Sequence, residues 1–117
     1  MTPSCPENPD TYVATILSLY IDLPDTPLRA SFPDQVLARR FHARGIPCAL
    51  VETALLLGSA RRCLRPADAP TLARIRSLAY FQPVVEELLQ SPVPDHYRDY
   101  LRLKLRRWCE TLELSKR

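Results

Sequence analysis

The stretch Pro47-Cys48-Ala49-Leu50-Val51-Glu52-Thr53-Ala54-Leu55-Leu56-Leu57-Gly58-Ser59-Ala60-Arg61-Arg62 decides the fold. Proline suits the first position of a helix, where its missing N–H has no intrahelical partner to lose. Ala49-Leu50-Val51 and Ala54-Leu55-Leu56-Leu57 are apolar nearly all round the helix they predict. Arg61-Arg62 puts cations at its C-terminal end, where the helix dipole favours them. A helix that is apolar on most sides belongs at the centre of a bundle, so the rest of the chain has to supply its cover.

Composition points the same way. The 117 residues hold 19 Leu and 11 Ala against 10 Val and Ile together, a balance that favours helix over strand. Two glycines, Gly45 and Gly58, are too few for a set of hairpin turns, and 12 prolines punctuate the chain instead. The reading is an all-α, compact bundle of about five helices, with residues 1–8 a leader, 9–114 one helical domain and 115–117 a tail.

Start and stop signals place the helices. Asn8-Pro9-Asp10 gives an N-cap, a first-position proline and an acid in the first turn, and Tyr12, Val13, Ile16, Leu17 and Tyr20 carry helix 1 to about Ile21. Ser31-Phe32-Pro33-Asp34 is close to a capping box and opens helix 2, whose apolar edge is Val36, Leu37 and Phe41. Gly45 reads as its left-handed terminator, with Ile46 as the apolar follower. Helix 3 is the stretch quoted above. A helical turn is expected around Thr71–Arg74. Ser77 caps helix 4, Leu78 to Gln90, with Tyr80, Phe81, Val84, Leu88 and Leu89 expected inward and a kink or break near Gln82 from Pro83. Helix 5 runs from about Pro94 to Leu112 on the stripe Tyr97, Leu101, Leu105, Trp108 and Leu112.

Charge is uneven. Residues 1–28 hold four acids and no Lys or Arg, so all 16 cations and nine of the 13 acids lie in 29–117, a surplus of seven. A basic body suggests an acidic partner, most simply nucleic acid contacted without sequence preference. The densest feature is Arg98, Arg102 and Arg106, each four apart beside the helix 5 stripe, with Lys104 and Arg107 near. Such a row could follow a phosphate backbone. It is equally a solvated face laced by intrahelical pairs. Arg39, Arg40, Arg61 and Arg62 form a second candidate DNA-binding patch. Helix 2, Gly45 and helix 3 have helix-turn-helix spacing, yet the outward positions Cys48, Ala49, Glu52 and Thr53 offer no residue that reads a base edge bidentately. A core corner is the plainer reading. The aromatics Tyr80, Phe81, Tyr97, Tyr100 and Trp108 could stack on bases or pack in a core or a dimer interface.

Other chemistry finds little footing. Cys5, Cys48, Cys63 and Cys109 form no CxxC pair, and neither His42 nor His96 adjoins one, so neither metal nor cofactor is expected. With no visible export signal the thiols are expected reduced and the chain cytoplasmic, and no apolar run approaches the roughly 20 residues of a membrane span. No nucleophile motif surrounds either histidine, Glu86-Glu87 project to different sides of a helix, and no Gly-rich phosphate loop exists, so the expectation is a non-catalytic protein.

One resemblance narrows this. Gly45-Ile46-Pro47, then Leu50-Val51-Glu52-Thr53-Ala54, a polar interval, Ile75-Arg76-Ser77-Leu78-Ala79-Tyr80-Phe81, and Val84-Val85-Glu86-Glu87-Leu88-Leu89 follow in order. Over about residues 11–90 this resembles the helical C-terminal domain of DnaD-type and plasmid or phage replication initiator proteins. The resemblance implies a small helical accessory of bacterial mobile-element replication, binding DNA weakly or bridging replication proteins, and not an enzyme. Those families attach the domain to a winged-helix reader that is not legible in these residues, and Pro83 and the basic fifth helix also depart from the pattern. The competing expectation is a protein–protein adaptor or homodimer that binds no nucleic acid.

Overall fold

The helix predicted to sit at the centre does so. In the computed structural model, which describes residues 8–63, 65, 68–70 and 72–115, with side chains as far as 107, that helix is α3, Cys48–Cys63. Val51, Ala54, Leu55 and Ala60 are all but inaccessible to solvent, and Leu50 is half-buried. Around it stand α1 (Pro9–Ile21), α2 (Phe32–Ala43), a 3₁₀ turn (Leu78–Phe81), α4 (Gln82–Gln90) and α5 (Asp95–Ser115), with no strand among the described residues. α3 packs against α1, α4, α5 and the 3₁₀ turn, while α2 packs on α1 and on that turn. The described residues form an all-α bundle of five helices. Residues 1–7 of the expected leader and the expected tail, together with Cys5, Cys109, Trp108 and Leu112, lie outside the described residues or side chains.

Local chemistry sets the helix ends. The Asn8 side chain accepts from Asp10 N–H at 2.8 Å, and Pro9 opens α1. At α2 the capping box is reciprocal: Ser31 N–H donates to Asp34 Oδ2 at 2.9 Å, and Asp34 N–H donates to Ser31 Oγ at 3.4 Å. The buried Asp34 also accepts from Leu78 N–H at 2.9 Å, so one carboxylate serves the first turns of two elements 44 residues apart. Gly45 has φ +73°, and the bonds Gly45 N–H to His42 O (3.0 Å) and Ile46 N–H to Phe41 O (3.1 Å) complete a Schellman closure of α2. Tyr12 on α1 donates its hydroxyl to Ile46 O at 2.7 Å and so fixes the α2–α3 corner from the side.

Pro83 breaks the fourth helix where expected. Gln82 N–H reaches back to Ala79 O, an i to i−3 bond, and Pro83 then sits in the first turn of α4, where its missing N–H costs nothing. The inward face differs from the expectation. Tyr80 and Leu89 are exposed at 43% and 36%, and Val85 is fully buried. At about 100° per residue, Val85 and Leu88 fall within about 40° of Phe81, whereas Tyr80 and Leu89 lie about 80–100° to either side. The expected turn near residues 71–74 is likewise absent from 72–77, which carry no helix. Ile75 is drawn inward instead, buried, with its N–H on Asp25 O at 2.9 Å.

The glycine of α3 has a packing role. A Cβ at Gly58 would stand 2.7 Å from Phe81 Cδ1 and 2.9 Å from Cε1, so hydrogen alone fits where that ring meets α3.

Candidate binding surfaces

The α2–Gly45–α3 corner is a core corner. Cys48 and Thr53, expected outward in a DNA-reading helix, are buried, and α5 covers α3 around Glu52. α3 is therefore not presented as a recognition helix.

Glu52 is the one charged residue of α3 ahead of Arg61, and it engages two of the three arginines of the helix 5 row. Arg102 donates from Nε to Glu52 Oε2 at 3.1 Å, again from Nη2 to the same oxygen, and from Nη1 to Asp99 at 2.9 Å. Arg98 lies 3.7 Å from Glu52 and 3.7 Å from Asp95, and its side chain is only 16% exposed. Arg106 and Arg107 are exposed, and Arg106 has no carboxylate partner among the described residues. The four-residue spacing holds, but its first two members face α3.

The second patch is similarly engaged. Arg39 pairs with Asp10 at 2.8 Å. Arg61 donates both Nη atoms to Glu87, at 2.9 and 2.6 Å. Arg62, 8% exposed, bonds Ala73 O at 2.9 Å, Tyr80 Oη at 3.3 Å and Asp25 at 3.4 Å, with its guanidinium 5.3 Å from the Tyr80 ring centre. Arg40 is exposed with no acidic partner among the described residues. The sequence reading missed the bidentate pair Arg44–Glu86, at 2.6 and 3.0 Å. Glu86 and Glu87 do project to different sides of α4, and each clasps an arginine of another element. Those hydrogen bonds hold both carboxyls below the usual glutamate range and raise Arg44 and Arg61 above theirs.

The candidate aromatics divide. Phe81 is core, with Tyr20 edge-on at 6.1 Å. Tyr100 is half-exposed, stacks on Tyr97 with centres 5.9 Å apart, and accepts from Lys104 Nζ at 3.1 Å. His42 sits edge-on to Tyr12 at 5.0 Å, a packing position. Among the described residues no group of three His, Cys, Asp or Glu could hold a metal ion, and no helix is long and apolar enough to cross a membrane.

Large apolar side chains remain in solvent. Leu28 is 92% exposed and Phe32 74%, four residues apart at the entry to α2. Tyr100 and Leu103, three apart and so neighbours on one side of α5, are about half-exposed. A cleft of about 590 Å³ opens between the α1–α2 connection and the 72–77 segment, lined by Thr26, Pro27, Leu28, Ala73, Arg74, Ile75 and Arg76. Arg29, Arg74 and Arg76, none singled out by the sequence reading, are exposed and have no acidic partner among the described residues. No protein-family model, curated protein or solved structure matches this chain.

Proposed function

We propose that the chain is a non-catalytic protein-interaction module. The observation that carries this reading is a division of labour on the surface. Five of the eight arginines first considered for DNA (Arg39, Arg61, Arg62, Arg98 and Arg102) are paired with carboxylates of the same chain. Leu28, Phe32, Tyr100 and Leu103 meanwhile stand in water. A phosphate would have to displace a bidentate carboxylate to reach Arg61, which removes much of the gain of binding it. Exposed aromatic and aliphatic side chains beside arginines are the composition of protein interfaces. The α5 side chains suit self-association.

A second reading, a replication-related DNA accessory of a bacterial mobile element, draws on Arg40 and Arg106, which lack such partners among the described residues, and on the net charge of +3. Sedimentation velocity over a concentration series, for the wild type and Tyr100→Ser/Leu103→Ser, separates the two. The module reading expects a mass that rises with concentration in the wild type and not in the variant. A monomer throughout, with salt-sensitive DNA binding lost on charge reversal at Arg106, would favour the accessory instead.

A further inference from the structure

We propose that the cleft between the α1–α2 connection and the 72–77 segment binds a short extended peptide in which acidic residues alternate with an apolar one. The proposal rests on the module reading and names its partner class.

The two walls differ in chemistry. On one, Ile75 is held inward by its burial and by its N–H on Asp25 O at 2.9 Å. Its neighbours Arg74 and Arg76 stay exposed and line the cleft. Exposure alternates out, in, out over Arg74, Ile75 and Arg76, and Ser77 after them has φ −151° and ψ 145°. That alternation is the pattern of extended chain, in which residues two apart sit on one side, roughly 6.5–7 Å from each other. On the other wall Pro27 and the almost fully exposed Leu28 are apolar, and Arg29 follows.

The positive charge here has no carboxylate partner among the described residues. Asp25, next in sequence to the opposing wall but not part of the cleft lining, has its carboxylate engaged by Arg62 at 3.4 Å. Arg29, Arg74 and Arg76 have no carboxylate among the described residues, unlike Arg44 and Arg61, which are clasped from both Nη atoms.

A peptide in extended conformation meets both walls at once. Its residues i and i+2 face one way and i+1 the other. Carboxylates at i and i+2 therefore match the spacing of Arg74 and Arg76, while an apolar side chain at i+1 turns to Pro27 and Leu28. The cleft volume lies within the range that holds a few side chains. Successive phosphates of a nucleic-acid strand, about 7 Å apart, share the arginine spacing but bring nothing apolar to the Leu28 wall. The peptide is the better fit.

The test is a selection of short displayed peptides on the wild-type protein, followed by anisotropy titration of the enriched peptides. The variants are Arg74→Glu/Arg76→Glu, Leu28→Ser and Tyr100→Ser/Leu103→Ser, each checked by circular dichroism for unchanged helix content. The expected result is enrichment of an acid–apolar–acid pattern. Affinity should fall about tenfold or more on charge reversal, as for a truncated interface charge cluster, and severalfold for Leu28→Ser. The α5 variant should bind these peptides normally. Peptides indifferent to the Arg74/Arg76 reversal would overturn the cleft. If they depend on Tyr100 and Leu103 instead, the module reading survives without it. If no peptide is enriched while a single-stranded oligonucleotide binds through Arg74 and Arg76, both readings fall. If neither ligand binds, the cleft proposal falls.

Discussion

Glu52→Gln should destabilise the protein by about 2 kcal/mol. Glu52 and Arg98 are 17% and 16% exposed, and Arg102 is 44% exposed. Removing one partner of a fully buried pair costs roughly 3–5 kcal/mol, because the other charge is left buried and alone. An exposed pair is worth about 0–1 kcal/mol. Glu52 lies between these limits. Gln keeps the shape and one carbonyl for Arg102, which also retains Asp99 at 2.9 Å. Among the described residues Arg98 keeps only Asp95, 3.7 Å away and 91% exposed. The stability lost therefore comes mainly from the Arg98 side of the pair. For a chain of 117 residues about 2 kcal/mol is roughly 6–10 °C in Tm. Urea and thermal unfolding followed at the helix band would measure it. A double-mutant cycle with Arg102→Gln would separate the two arms. A change below about 0.5 kcal/mol, the range of ordinary surface substitutions, would refute the reasoning and return Arg98 and Arg102 to the pool of available cations.

Asp34→Ala should cost about 3 kcal/mol in urea unfolding, because it strips charge-assisted acceptors from Ser31 N–H and Leu78 N–H together. A loss no larger than that of Ser31→Ala would count against the double cap. Gly58→Ala should destabilise by about 1–2 kcal/mol, since displacing the buried Phe81 ring outweighs the gain of roughly 1 kcal/mol in helix propensity. A rise in Tm would contradict it. Tyr20 is pushed up to about 12 from 10.0, first by burial and then by Asp34. Its neutral form is the one the fold prefers, so its contribution is intact below about pH 10 and is lost as pH rises toward about 12. Alkaline unfolding with absorbance at the phenolate band tests this. The Tyr20 hydroxyl has no hydrogen-bond partner among the described residues, so Tyr20→Phe should leave stability unchanged or raise it by up to about 1 kcal/mol while flattening the alkaline loss.

Helix starts were legible because their chemistry is local. Asn8, Ser31 with Asp34, and Gly45 act within three or four residues of themselves, and Pro83 removes a donor at a known place. Pairings between elements were not legible. Asp34 to Leu78, Arg44 to Glu86 and Glu52 to Arg102 span 42 to 50 residues, and nothing local selects such partners. One signal pointed toward the last of these. A single acid in the most apolar helix needs a cation from a neighbour, and Arg98 and Arg102 flank the stripe that packs there. The cleft was missed because Thr71–Arg74 reads as a helical turn. The extended path depends on a bond from Ile75 to Asp25, fifty residues earlier.

Arg39, Arg44, Arg61, Arg62, Arg98 and Arg102 are held by carboxylates of their own chain, and that engagement matters most. An anisotropy titration of a labelled oligonucleotide at about 50 mM salt, with wild type beside Glu86→Gln/Glu87→Gln, tests it directly. The two substitutions free Arg44 and Arg61 at exposed positions without touching the core. The account predicts that the wild type binds no DNA in the range of about 10⁻⁴ to 10⁻⁶ M typical of non-specific association, and that the variant gains salt-sensitive binding. Wild-type binding within that range, with a steep salt dependence and no gain in the variant, would contradict it.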